Sequence, residues 1–250
     1  MDLMSAFEPA IQDDSGYRVR NIDLEFLGIT HDSARLVVVK ECPLGMDPPT
    51  YEIFFSMLAD ALDRQSVTDA DVRIKGSSVR FFSGAHKEMP FDRQELKNLY
   101  QKSHGEPPQD ECLDAIESRI SLQWPESQQR PLRRMFDVMY RTGIDWQMSD
   151  YDIQISSNQI VNLVKRGLKL DDRDSDMSSI FHSTYDFVEK EYIDRFALEV
   201  SVWIDRVIDL VGRPVSAACF ESSGPPPKTG MLSSHYRDDD WIVMKGSGFV

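Results

Sequence analysis

The sequence predicts an α+β protein in which a mixed β-sheet is flanked by helices. Three observations carry that expectation. Two runs, Asp71 to Gly76 and Ser149 to Ser156, alternate apolar and polar residues with the period of two that a half-buried strand requires. Ile193, Phe196, Ala197, Val200, Trp203, Ile204, Val207, Ile208 and Val211 recur at steps of three and four, the period of a core helix. Turn-rich stretches, Gly105-Glu106-Pro107-Pro108 and Ser222-Ser223-Gly224-Pro225-Pro226-Pro227, separate such runs.

Composition bounds the answer. Hydrophobic residues make up 41% and aromatics 10% of 250 residues, too apolar for a disordered chain. A chain of this size buries about 70–75% of the surface its unfolded form exposes, enough for one large domain. No apolar run approaches the roughly 20 residues that span a bilayer. Acid rather than base opens the chain at Met1-Asp2-Leu3-Met4, so the expected location is cytoplasmic. Forty-two acids against 28 bases give a net charge of −14, which disfavours a general nucleic-acid binder, since phosphate neutralisation needs clustered Lys and Arg. Cys42, Cys112 and Cys219 are widely spaced and read as free buried thiols.

In chain order, residues 1–16 are acidic and turn-rich and are expected to be loosely ordered. Ile22–Thr30 and Ala34–Val39 alternate like strands joined at His31-Asp32-Ser33. Pro48-Pro49 break the chain, and Thr50 can cap a helix with a stripe of Ile53, Phe54, Met57, Leu58, Ala61 and Leu62. That helix leads into the strand ending at Gly76. Residues 83–130 are expected as a helical insertion: a Gly- and Pro-broken loop to Pro90, a helix capped by Asp92 and Glu95, and another from about Asp110 to Leu122. Arg130, Arg133 and Arg134 then gather positive charge that suits a triphosphate or RNA backbone, and suits surface salt bridges equally well. The alternating run Phe136–Tyr140 reads as a strand bearing Asp137. Ser156 and Gln159 read as a capping box for a helix through Ile160, Val161 and Val164. Asp171-Asp172-Arg173-Asp174-Ser175-Asp176 lacks the glycine and glutamate of a calcium loop and reads as solvated. One long helix is expected over Glu191–Val211 with Gly212 as its stop, then a strand over Val215–Phe220, then a tail over 222–250 in which His235 and Arg237 stand near one another.

Chemistry concentrates in two places. On the Ser149–Ser156 strand, Asp150, Asp152 and Gln154 share one face and Tyr151, Ile153 and Ile155 the other. Two acids about 7 Å apart along a strand can chelate a divalent cation when phosphate oxygens complete its shell. The plainer alternative is a solvated strand face. At Gly76-Ser77-Ser78 the upstream strand ends in a turn where glycine lets backbone N–H groups approach an anion. The five histidines fall singly, and there is neither a Walker loop nor a Gly-x-Ser-x-Gly elbow, so a zinc hydrolase, a P-loop NTPase and acyl-transfer chemistry are disfavoured.

The strand, the Gly-Ser turn and the following Asp-x-Asp strand resemble the nucleotidyltransferase fold of the DNA polymerase β superfamily. The chain also resembles a group of bacterial proteins sharing Lys-Gly-Ser-Ser-Val-x-Phe-Phe, Ser-Asp-Tyr-Asp-x-Gln-Ile-Ser, Ser-Gly-Pro-Pro and Leu-Ser-Ser-His-Tyr/Phe-Arg, a likeness that implies no activity of its own. The superfamily resemblance implies a nucleotidyltransferase-like core carrying the helical insertion. It implies a nucleoside triphosphate held at Gly76, Ser77 and Ser78, and Mg²⁺ on Asp150 and Asp152. Lys75, Arg80 and Lys87 are charge-compatible neighbours. The acceptor, RNA or a protein, is not specified. Two departures stand out. Ser77 and Asp150 lie more than seventy residues apart, where such enzymes keep the motifs close. The third acid that the superfamily places on a later strand is missing from Val215–Phe220; Glu221 lies just past its end, and Asp137, chemically suited to activate an attacking hydroxyl, precedes the pair. The alternative from a different class is a non-catalytic acidic binding or interaction protein on a related α/β scaffold.

Overall fold

The computed structural model describes residues 11–170, 179–222, 224, 240–246 and 248–250. In chain order, helices α1 (Asn21–Leu27), α2 (His31–Val38) and α3 (Pro48–Arg64) lead to strand β1 (Asp71–Lys75). Helices α4 (Ser77–Arg80), α5 (Arg93–His104), α6 (Asp110–Gln123) and α7 (Val138–Thr142) separate it from β2 (Tyr151–Ser156). Then come α8 (Asn158–Leu168), α9 (Lys190–Phe196), α10 (Leu198–Val211), β3 (Val215–Phe220), β4 (Trp241–Lys245) and β5 (Gly248–Phe249). The chain is thus mixed α/β, with a five-stranded mixed sheet in the order β3-β2-β1-β4-β5 and flanking helices. It divides into two compact units, Met1–Asp47 with Gly76–Ser149, and Pro48–Lys75 with Asp150–Val250.

The second unit holds the whole sheet. β1 pairs antiparallel with β2 and with β4, while β2 pairs parallel with β3. One sheet face is apolar: Val72, Ile74, Tyr151, Ile153, Ile155, Val215, Cys219 and Trp241 are all buried. Helices α3 and α10 cover it. Phe54 of α3 meets Tyr151 and Trp203 edge-on at 6.1 and 5.3 Å between ring centroids, and the Trp203 indole N–H donates to the Phe54 carbonyl at 3.1 Å. Phe54, Phe55, Leu58, Ala61 and Leu62 are buried, whereas Ile53, expected in the stripe, is 49% exposed. The helix also starts two residues before Thr50, because proline is tolerated in a first turn whose N–H groups have no partner within the helix.

The first unit is built of helices α1, α2 and α4–α7, with Leu24, Leu27, Leu96, Leu113, Ile116, Ile120, Trp124 and Phe136 in its interior. Its N-terminal part corrects the hairpin expectation: Ile22–Thr30 and Ala34–Val39 fall on α1 and α2. Thr30 accepts a hydrogen bond from the Ser33 N–H at 3.1 Å and caps α2, and Ala34 and Val37 are buried at a helical step of three. Residues 11–16 are held rather than loose, since Asp13 is 7% exposed and accepts from the N–H groups of Ser15, Tyr17 and Leu132. The loop to Pro90 and the Asp92-capped helix match expectation, with Asp92 accepting from the Gln94 and Glu95 N–H groups.

Four other expectations change. Phe136–Tyr140 is not a strand: Asp137 adopts a left-handed conformation, φ 59°, and starts α7. Ser157, not Ser156, caps α8 by accepting from the Ile160 N–H, and the Gln159 side chain accepts from the Thr68 N–H instead of closing a capping box. The long helix over 191–211 breaks at Ala197, φ −117° and ψ 51°, into α9 and α10. Residues Trp241–Lys245, set with the tail, form β4 beside β1, with Trp241 5% exposed. Asp171–Asp176, His235 and Arg237 lie outside the described residues.

Candidate functional site

Asp150 and Asp152 stand at the entrance of β2, an inner strand with β1 on one side and β3 on the other. Paired residues on neighbouring strands project to the same face, so the register defines rows across the sheet. Lys75, Asp152 and Ser216 form the first row, Arg73, Gln154 and Ala218 the second, and Asp71, Ser156 and Phe220 the third. Alternation predicted the face correctly, and the strand also grades from exposed at Asp150 and Asp152 to buried at Gln154, 3%, and Ser156, 1%.

Ser216 joins the two acids. Its hydroxyl oxygen lies 2.7 Å from Asp150 Oδ2 and 3.1 Å from Asp152 Oδ1. A hydroxyl carries one proton and can donate it to one carboxylate at a time. The parallel register of β3 brings Ser216 level with Asp152, and no short motif announces it.

Lys75 faces the same way at the end of β1. Its ammonium lies 2.6 Å from Asp240 Oδ2, with the Asp240 side chain fully buried and that of Lys75 10% exposed. A buried ion pair of this kind is costly to break from one side, because the remaining charge is left in a low-dielectric setting. Asp240, just ahead of β4, was not legible as the lysine's partner.

The Gly-Ser turn belongs to the first unit. Gly76 has φ 81° and ψ −166°, a backbone region that a side chain would strain. Ser77 and Ser78 open the one-turn helix α4 and Arg80 ends it; Ser78 is fully buried, and its carbonyl accepts from the Leu44 N–H at 2.8 Å. Phe81 then takes φ 64° and ψ −37°, uncommon for a bulky residue, and its carbonyl accepts from the Phe136 N–H at 2.8 Å. Asp137 is 4% exposed and locked to Ser149 in both directions: its N–H donates to Ser149 Oγ at 2.9 Å, and Ser149 N–H donates to Asp137 Oδ1 at 2.8 Å. Asp137 thereby fixes the residue immediately before Asp150.

The basic cluster is occupied by protein partners. Arg133 pairs with Asp14 at 3.0 Å and Glu88 at 3.2 Å, Arg130 donates to the Trp124 carbonyl and stacks on Phe91, and Arg134 donates to the Glu88 carbonyl. Burial, followed by the charges of Lys87, Arg134 and Arg133, holds the His86 imidazole below its ordinary pKa. Cys42 and Cys219 are buried and Cys112 is half-buried, all as free thiols. Burial, and for Cys42 the nearby Asp47, pushes Cys42 and Cys219 up to about 12, which suits inert packing groups.

Among the described residues there is no group of three or more His, Cys, Asp or Glu side chains placed to hold a metal ion. Mg²⁺ asks for less, being bound by one or two carboxylates together with substrate phosphates and water. Asp150 and Asp152, with one oxygen each gathered at a single hydroxyl, fit that demand; they do not form an all-protein cage. None of the described helices is long and apolar enough to cross a membrane. No protein family, curated protein or solved structure matches this chain.

Proposed function

We propose that the chain is a metal-dependent, nucleotidyltransferase-like protein acting on a nucleoside triphosphate. The observation that carries this reading is the acid pair converging on Ser216 Oγ, where one proton serves two carboxylates. A divalent cation can take one oxygen from each of two carboxylates brought this close. When bound there, Mg²⁺ would neutralise the pair and polarise the phosphates. The residues' own work is then positioning. Asp150 and Asp152 orient the metal-bound phosphate, Ser216 holds one carboxylate oxygen in place, and Asp137 fixes Ser149 at the start of the strand. Lys75 stands level with Asp152 on the same sheet face, its charge already met by Asp240. Transfer of the nucleotidyl group forms a bond from the acceptor oxygen to the α phosphorus and releases pyrophosphate.

One observation favours a second reading that keeps ligand binding and drops turnover: β3, which lies beside the pair, carries no carboxylate from Val215 to Phe220. The chain would then bind nucleotide and metal without turning the nucleotide over.

Thermal unfolding with ATP and GTP, with and without Mg²⁺, tests the common core of both readings. Ligand at a hundredfold over Kd stabilises by about 2.7 kcal/mol. The shift is expected only with metal and only when the pair is intact; a shift unchanged in Asp150→Ala/Asp152→Ala would remove the metal from these residues. Release of pyrophosphate then separates enzyme from binder.

A further inference from the structure

Directly inward from the acid pair, on the same face of β2, two polar side chains are buried without hydrogen-bond partners among the described residues: Gln154 at its Nε2 and Ser156 at its Oγ. Gln154 is only 3% exposed. Buried donors are almost always paired, and leaving one unpaired costs stability, so an orphaned amide beside an exposed carboxylate pair calls for an explanation. The side chains level with it on the neighbouring strands offer no acceptor. Ala218 of β3 has no polar side-chain atom, and Arg73 of β1 carries donors only, so neither side chain can accept from Gln154.

From this placement we propose that Gln154 is a ligand-contacting residue: its Nε2 donates to an acceptor oxygen of the metal-bound nucleotide, one strand step inward from Asp152. Residues two apart on a strand project about 7 Å apart, a span that a nucleotide bridges when its phosphate lies at the acids. The unpartnered donor is a binding group held dry and ready in the absence of ligand, and its cost to the free protein is recovered on binding. This inference rests on the nucleotide reading given above, and it adds a residue that neither the acid pair nor the Gly-Ser turn includes.

The test uses the full chain and Mg²⁺ with ATP or GTP, measuring affinity by calorimetry and stability by denaturant unfolding in wild type, Gln154→Met, Gln154→Glu and Asp150→Ala/Asp152→Ala. Methionine keeps the volume and removes the donor. Gln154→Met should unfold at the same or higher denaturant concentration than wild type, while its affinity falls about five- to tenfold, the value of one lost hydrogen bond. Gln154→Glu, which keeps the shape and replaces the donor with an anion, should fall further. Wild-type affinity in Gln154→Met would overturn the proposal, with ordered water then the amide's partner, and so would a Gln154→Met protein that fails to fold, since an unpartnered amide holds nothing together. If wild type shows no metal-dependent binding at all, the nucleotide reading fails and this inference with it; if wild type binds, Asp150→Ala/Asp152→Ala does not, and the Gln154 variants bind as wild type does, the inference alone fails.

Discussion

Asp23 in the helical unit and the Asp150/Asp152 pair on the sheet are carboxylate sites built to opposite plans. Asp23 is fully buried and surrounded by donors: the Tyr17 hydroxyl at 2.7 Å, the Arg20 N–H at 2.8 Å, Gln123 Nε2 at 2.9 Å, Trp124 Nε1 at 3.0 Å and the Arg20 guanidinium at 3.2 Å. Burial first, and then the Asp23 carboxylate, raise the pKa of the Tyr17 phenol, keeping it a donor. Asp150 and Asp152 are exposed and meet at one hydroxyl. A carboxylate saturated with donors has its work inside the protein. The Asp150/Asp152 pair is open to solvent and solutes, which is why a ligand is proposed at the second site and not at the first.

The comparison can be broken at either end. The largest effect is expected at Asp23: Asp23→Ala strands an arginine and several buried donors and should cost about 3–5 kcal/mol, read as a lowered denaturant midpoint of the helical unit. Asp150→Ala/Asp152→Ala should change the stability of the free protein by less than about 0.5 kcal/mol, as surface substitutions do, and abolish the metal-dependent stabilisation by nucleotide. Comparable losses at the two sites would erase the distinction.

Asp13 gives a pH-dependent version of the structural plan. Burial works to raise its pKa, but hydrogen bonds from the Ser15 hydroxyl and from the Leu132, Arg133 and Ser15 N–H groups outweigh that and hold it below the ordinary carboxylate value. A group depressed on folding contributes stability above its unfolded pKa, about 3.9 for Asp, and loses it as pH falls through the lower folded value. The stability difference between wild type and Asp13→Asn should therefore be constant at neutral pH and shrink only below about pH 4. The smallest effect is expected from Ser216→Ala, whose stability should stay within about 0.5 kcal/mol of wild type because the hydroxyl is exposed.

Residues whose environment is set by their neighbours in sequence were legible. β1, β2 and β3 followed from alternation, the glycine at position 76 from the turn it makes, and the Asp92 cap from its spacing. α1 and α2 were misread because helices of seven and eight residues show barely two turns, and a few apolar positions fit a period of two as easily as 3.6. The break at Ala197 carries neither glycine nor proline to announce it. β4 depends on pairing with β1 across more than 160 residues, which no local pattern encodes. For the same reason Ser216, Asp240 and the buried state of Gln154 were beyond reach: each takes its meaning from a partner strand. The acids themselves were visible, and the hydroxyl that joins them was not.

The most direct measurement of the central claim is Mn²⁺ binding, followed by electron paramagnetic resonance in the presence of ATP or GTP, in wild type and in Asp150→Ala/Asp152→Ala. The account predicts that wild type with nucleotide removes Mn²⁺ from the free pool, beyond what the nucleotide alone takes up, and that the double variant does not. Equal uptake by both proteins, or none by wild type, would contradict the assignment of Asp150 and Asp152 as metal ligands.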